Sequence, residues 1–243
     1  MNRAPHAYPD RVLLAVTGLT PQIVTETVYV LAVERKPVFV PTEIRVLTTA
    51  EGAERVRFTL LSHEPGWFRR LCAMYDLDGI RFDDDCVEVL CAADGRPLDD
   101  IRDAADSARA ADQITDRIRA LTADDDRALH VSLAGGRKTL GFYAGYALSL
   151  YGRPQDRLSH VLVSPPFESN QAFFFPTRES TIIYTAPPHD RPIDARDARV
   201  TLRDMARLLH RHDRFALIRP ARRPVVALGI AVAPEDPPFF YQG

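Results

Sequence analysis

The chain has 243 residues, 46% of them hydrophobic, and a formal net charge of −2. That length suits one large domain, or one domain with an appendage, and the apolar share excludes a chain disordered throughout. The near balance of charge excludes a general nucleic-acid coat protein and leaves room for a local anion site.

Three cysteines, Cys72, Cys86 and Cys91, lack zinc-ligand spacing and cannot all pair with one another. They read as reduced thiols of a cytoplasmic protein. The opening MNRAPHAYPD has no apolar signal-peptide core, and no apolar run reaches the length of a membrane span, so no membrane role is expected.

In chain order, Arg11–Val16 (RVLLAV) reads as a buried strand, broken by Thr17-Gly18-Leu19-Thr20-Pro21-Gln22. Thr20 is a natural N-cap and Pro21 a natural first helical residue, which predicts a helix to about Glu34. Ile23, Val24, Thr27, Val28 and Leu31 form its inward stripe. Pro37–Pro41 is a connection and Glu43–Thr48 a second strand. Thr48 or Thr49 caps a helix from Glu51 to about Leu61. A short helix follows over Gly66–Tyr75, in which Trp67 reads as core or interface rather than a platform for stacked bases. Asp83-Asp84-Asp85 invites a metal reading. Consecutive carboxylates in a strand point to opposite faces, however, and the spacing of a calcium loop is missing. A solvated turn before a strand at Cys86–Leu90 is the better reading, and no metal is expected. Asp99–Leu121 is amphipathic, with Ile101, Ala104, Ala105, Ala108, Ile114, Ile118 and Leu121 as the predicted buried stripe.

Arg127–Tyr151 (RALHVSLAGGRKTLGFYAGYALSLY) reads as strand, glycine turn, helix. Leu129, Val131 and Leu133 mark a strand buried on both faces. Gly135-Gly136 permit backbone angles closed to other residues and leave room for a molecule to approach the main chain. Arg137 and Lys138 follow, then a helix from Thr139 to Leu150, whose first amides are unpaired and lie at the positive end of its dipole. Cations beside free amides make an anion site, most simply for phosphate; a tight turn with two solvated basic residues accounts for the same sequence. The helix is apolar nearly all round, through Leu140, Phe142, Tyr143, Ala144, Tyr146, Ala147 and Leu148. One sheet face needs less than that, and the surplus predicts a two-fold dimer interface.

Leu158–Val163 is the next strand, ending in the loop Ser164–Glu168. Ala172–Phe175 and Thr181–Thr185 look like strands of a hairpin joined by Pro176–Ser180. Ala186–Arg199 has linker composition. Val200–Leu209 predicts a short helix capped by Thr201, with Leu202, Met205, Leu208 and Leu209 as its face. A basic tail and an apolar run at Val225–Val232 follow. The organisation expected is therefore a domain over 1–185 and a C-terminal appendage, helix plus basic tail, over 186–243.

Alternating strands and helices give an α/β fold with a mainly parallel sheet flanked by helices. In such sheets ligands bind beyond the carboxyl ends of the strands, where strand order reverses. The turns at Thr17–Gln22 and Ala134–Lys138 and the loop Ser164–Glu168 all follow strands and should share one edge. Together they offer hydroxyls, helix amides, a guanidinium, an ammonium and an aromatic ring, a set suited to a nucleotide. The phosphate-loop and dinucleotide fingerprints are both missing, and so is a serine-hydrolase elbow. His130 and His160 lie within strands and read as structural.

Three stretches, LLAVTGLTPQIVTE (Leu13–Glu26), TEIRVLTT (Thr42–Thr49) and VSLAGGRKTLG (Val131–Gly141), with HVLVSPPFE after them, resemble the small CRISPR-associated proteins built on a CARF domain. The likeness covers roughly Val12–Tyr184. It implies a Rossmann-like, homodimeric sensor of cyclic oligoadenylate, with cyclic tetra-adenylate favoured although the residues do not fix ring size. The short chain resembles the stand-alone members, among them ring nucleases that degrade this messenger and switch off type III CRISPR signalling. A non-catalytic sensor acting through a partner is the alternative. Carried over by motif, the resemblance places Thr17, Gly18, Leu19, Thr20, Gln22, Ala134, Gly135, Gly136, Thr139, Ser164 and Phe167 at the ligand. Lys138, Arg137 and Thr17 would carry the chemistry, with no cofactor. It further implies attack by a ribose 2′-hydroxyl on the adjacent phosphorus, giving a 2′,3′-cyclic phosphate. No general acid or base stands out.

Overall fold

The computed structural model describes residues 3–133, 135, 138–168 and 170–205. Eight strands and five α-helices are assigned among these. Strand β1 (Asp10–Val16) leads into α1 (Gln22–Tyr29), which widens into a π-helical turn over Val30–Glu34. β2 (Glu43–Thr48) leads into α2 (Ala50–Val56), again with a π-helical end at Arg57–Leu61. Thr49, not Thr48, is the cap of α2, accepting from the Gly52 amide. α3 (Trp67–Tyr75) and β3 (Val87–Val89) follow. Then come α4 (Ala104–Leu121), β4 (Arg127–Ser132), α5 (Lys138–Tyr151) and β5 (Arg157–Val163).

The main sheet has six strands in the order β3-β2-β1-β4-β5, closed at one edge by β8 (Val200–Asp204). The first five run parallel, and β8 pairs with β5 in antiparallel fashion. This is a Rossmann-like α/β sheet. The chain steps outward from β1 to β2 and β3, then returns to the other side of β1 with β4. The strand order therefore reverses between β1 and β4.

Alternation along β1 shows how the layers form. Leu13 and Ala15 join the core shared with α1, α2 and α3. Val12, Leu14 and Val16 face the other way, against α4 and α5. All five are fully buried, as a parallel strand covered on both faces should be. Asp156, 1% exposed, ties β4 to the turn before β5. It accepts from the Leu129 amide and from the backbone and guanidinium of Arg153.

Several sequence expectations are corrected. Thr20 does not cap α1: the N-cap position falls on Pro21, with no side-chain cap. α4 begins at Ala104, capped by Asp103, and Ile101 is buried ahead of the helix. Its buried stripe is Ala110, Ile114, Ile118 and Leu121, while Ala104, Ala105 and Ala108 are exposed. Ala172–Phe175 is no strand. β6 (Ile182–Tyr184) pairs instead with β7 (Pro192–Asp194), inside the segment read as a linker, to make a separate two-stranded sheet. The three phenylalanines Phe173, Phe174 and Phe175 lie across α1 and α3. The Thr25 hydroxyl of α1 donates to the Phe174 carbonyl at 2.8 Å, and Trp67 of α3 stacks on the Phe174 ring at 4.7 Å. Trp67 is thus part of the packing, as its helical spacing indicated. The helix expected from Val200 is the strand β8, so the chain past residue 185 contributes an edge of the main sheet. Leu208, Leu209, the basic tail and the run at Val225–Val232 lie outside the described residues.

Candidate functional site

β1, β4 and β5 are neighbours running the same way, so the turns that follow them open on one edge of the sheet. Two of these turns touch. Gly135 adopts φ +93°, and a Cβ placed on it would sit 2.8 Å from the Thr17 Oγ1 and 3.2 Å from the Ile23 Cγ1. No other residue type fits both that backbone angle and that gap. The crevice at the reversal of strand order is therefore walled by the first turn on one side and the glycine turn on the other.

Thr17 is fully buried, and its hydroxyl donates to the Thr20 carbonyl at 3.2 Å. Its amide donates to the Leu47 carbonyl of β2 at 3.1 Å. These bonds make Thr17 the residue that shapes the turn. Gly18 is buried, and its carbonyl accepts a long 3.5 Å bond from the Thr48 hydroxyl. Leu19, 45% exposed, and Thr20 project from the turn. Gln22 opens α1 and donates from Nε2 to the Gln171 carbonyl at 3.2 Å, while its Oε1 is sealed from solvent with no partner among the described residues.

Across the crevice, Lys138 and Thr139 are exposed at the start of α5. Among the described residues nothing forms an ion pair with Lys138, which leaves its ammonium available. Ala134, Gly136 and Arg137 lie outside the described residues. Ser164 is committed elsewhere: its amide donates to the Arg199 carbonyl and its hydroxyl accepts from the Arg199 amide, which fastens the loop to the chain entering β8. Phe167 is 5% exposed and packs on Phe173 with ring centres 5.2 Å apart, so its ring belongs to the core and not to the crevice.

His130 is structural, as its place in the strand suggested. It is 1% exposed and bonded through Nε2 to the Ser159 hydroxyl at 2.7 Å. Burial first, then the Arg35 and Arg157 charges, push its pKa down to about 3, so it stays neutral. The run Asp83–Asp85 is a solvated turn paired with Arg81 and Arg57. No group of three or more His, Cys, Asp or Glu among the described residues could hold a metal ion. No helix among them is long and apolar enough to cross a membrane.

Glu26 carries no mark in the sequence that sets it apart. This carboxyl is 7% exposed, and burial pushes its pKa up to about 8. No hydrogen bond or ion pair engages it among the described residues. On a helical wheel it sits one turn beyond Gln22 and Ile23, the residues that reach the Gln171 segment and the Gly135 turn. A glutamate on a surface helix reads as ordinary polar cover; only its burial marks it out.

The fold is that of a doubly wound α/β protein in which two turns meet at the point where strand order reverses. Residues 20–209 match the family model described as CRISPR-associated protein NE0113, and the chain belongs to that family. No curated protein matches it. Among solved structures, it is similar to Enterococcus italicus Csm6 bound to cyclic hexa-2′-fluoro-hexa-dAMP, at 12% identity and a TM-score of 0.40, over 67% of this chain and 35% of that one. It is also similar to a Listeria monocytogenes protein described as a UDP-N-acetylglucosamine 2-epimerase, at 18% identity and a TM-score of 0.29, over 62% of this chain and 31% of that one. The chain thus spans about a third of the length of either neighbour. At such identities and scores neither assigns it a ligand.

Proposed function

We propose that this CRISPR-associated protein binds a cyclic oligoadenylate in the crevice between the Thr17 and Gly135 turns and cuts it. The observation that carries the reading is the direct contact of these two turns at the switch point of the sheet. Membership of a CRISPR-associated family supports a ligand from that signalling chemistry. In this reading Lys138 and Arg137 hold phosphate oxygens and stabilise charge as the phosphorus becomes five-coordinate. Thr17 acts by fixing the turn that positions the ring, a role consistent with its complete burial. Gly18, Leu19, Thr20, Gln22, Ala134, Gly135, Gly136 and Thr139 line the ligand. The substrate's own 2′-hydroxyl attacks in line, forming the O2′–P bond as the P–O5′ bond breaks. Two copies pair through α5, which sets two crevices side by side.

The test is incubation of the full chain with cyclic oligoadenylates of several sizes, chelator present. Linear adenylates ending in a 2′,3′-cyclic phosphate are expected. A ring whose 2′-hydroxyls are replaced by methoxy groups should bind and stay intact. Lys138→Ala should weaken binding by about 1–3 kcal/mol, the scale of a lost charge-assisted hydrogen bond, and slow turnover further. Tight binding of the unmodified ring with no product after hours would leave a sensor that relays binding to a partner.

A further inference from the structure

We propose that Glu26 is the acid that protonates the departing 5′-oxygen when a cyclic oligoadenylate is cut in the crevice; this rests on the ring-nuclease reading above. The placement of the residue carries the inference. Glu26 follows Gln22 by four residues and Ile23 by three, so it stands directly over both on one flank of α1. Gln22 reaches the Gln171 carbonyl, and Ile23 lies against the Gly135 turn. Helical side chains lean toward the N-terminal turn of their own helix. Glu26 is therefore carried toward the gap between the Gly135 turn and the Gln171 segment, along the wall of the crevice.

Its surroundings suit the task. The side chain is 7% exposed and unpartnered among the described residues, and the cause of its altered acidity is burial alone. Such a carboxyl keeps its proton at neutral pH. A neutral acid can lie beside phosphate diesters, whereas an ionised carboxylate there would repel them. Among the described residues of the two turns there is no histidine, tyrosine or further carboxyl to compete for the role.

The step balances without a co-reactant. As the 2′-oxygen bonds to phosphorus, its proton passes to solvent. As the P–O5′ bond breaks, Glu26 gives its proton to O5′, which leaves as a hydroxyl. Glu26 then recovers a proton from solvent, and ring opening is complete with no water consumed.

The test pairs a neutral variant with two substrates. Glu26→Gln keeps the shape and removes the proton. On the natural ring it should cut about 100-fold more slowly or worse, the usual share of general acid catalysis, with binding unchanged. On a ring whose bridging 5′-oxygens are replaced by sulfur, the variant should cut close to the wild-type rate, because a thiolate leaves without a proton. Glu26→Asp, which retracts the acid by one methylene, should show the same split if the Gln variant folds poorly. Glu26→Gln cutting the natural ring as fast as wild type overturns the proposal alone. A variant slow on both rings also overturns it, making Glu26 a packing residue. Wild type that binds both rings and cuts neither overturns the ring-nuclease reading and this proposal together.

Discussion

At the scale of single residues, a buried carboxyl with no partner among the described residues is a cost that the fold carries. Glu26 has its pKa raised from 4.5 to about 8. Between those values the folded chain holds a proton that the unfolded chain has released. Stability is therefore full below about pH 4.5 and falls as pH rises toward 8, by up to about 1.4 kcal/mol per unit for one proton. Glu26→Gln should leave the melting temperature unchanged near pH 4 and raise it by several degrees near pH 8, a difference that calorimetry at the two pH values would show. A variant melting below wild type at pH 8 would mean that the ionised carboxyl has a favourable partner. Residues that cost stability in place are where function is expected to pull against folding. The meeting of two turns was legible where breakers follow the strands: the hydroxyl-rich first turn and the glycine turn do touch. What local sequence could not show was burial. Thr17 reads as an available hydroxyl and Phe167 as an available ring, yet Thr17 is enclosed by β2 and the Gly135 turn, and Phe167 is folded onto Phe173 of its own loop.

At the scale of elements, the parallel strands were legible because each is a short apolar run with breakers at both ends. β8 was not. Leu202, Met205, Leu208 and Leu209 have helical spacing, and nothing local announces that β5 leaves an open edge some forty residues earlier. Pairing with that edge overrides the local pattern. The alanines of α4 failed for a related reason: alanine fits either face of a helix, so Ala104, Ala105 and Ala108 carried no information about direction. Likewise Ala172–Phe175 has the apolar density of a strand, but its rings pack on Trp67, Tyr75 and Phe167 instead of pairing its backbone. The register of β8 makes a sharp prediction. Ser164 N donates to Arg199 O and Met205 N to Leu158 O, so every second residue from Arg199 turns its backbone polar groups toward β5. Thr201 is one of these and is exposed. Thr201→Pro should lose a ladder bond and lower the melting temperature by several degrees, while Thr201→Val should keep it. Equal melting of the two would show that the β8 pairing contributes little.

At the scale of the whole molecule, the feature that asks for a partner is α5. Phe142, Tyr146 and Leu150 are 67%, 47% and 50% exposed and recur every four residues, so they form one stripe. The rings of Phe142 and Tyr146 stack at 6.1 Å. Leu140, Ala144, Ala147 and Leu148 already fill the sheet side of the helix. A second copy of the same stripe, related by a two-fold axis, would cover it. Light scattering should therefore give a dimer at micromolar concentration, and Phe142→Glu with Tyr146→Glu should give a folded monomer. A wild-type chain that stays monomeric would remove the paired-crevice arrangement. If cleavage needs both crevices, the double variant should also lose most of its turnover.

Trp67 is the single tryptophan of the chain. Its indole lies flat on Phe174 and under the Arg70 guanidinium, and the Phe174 carbonyl is held by Thr25 of α1 just after Gln171, whose carbonyl is met by Gln22. The protein therefore carries one indole, wedged against the same segment that borders the crevice, and light too long in wavelength for its tyrosines excites that indole alone. If the proposed nucleotide settles beside Gln22, the emission of this indole should shift in the native chain without any attached dye, and an unchanged spectrum at saturating ring would count against binding at that border.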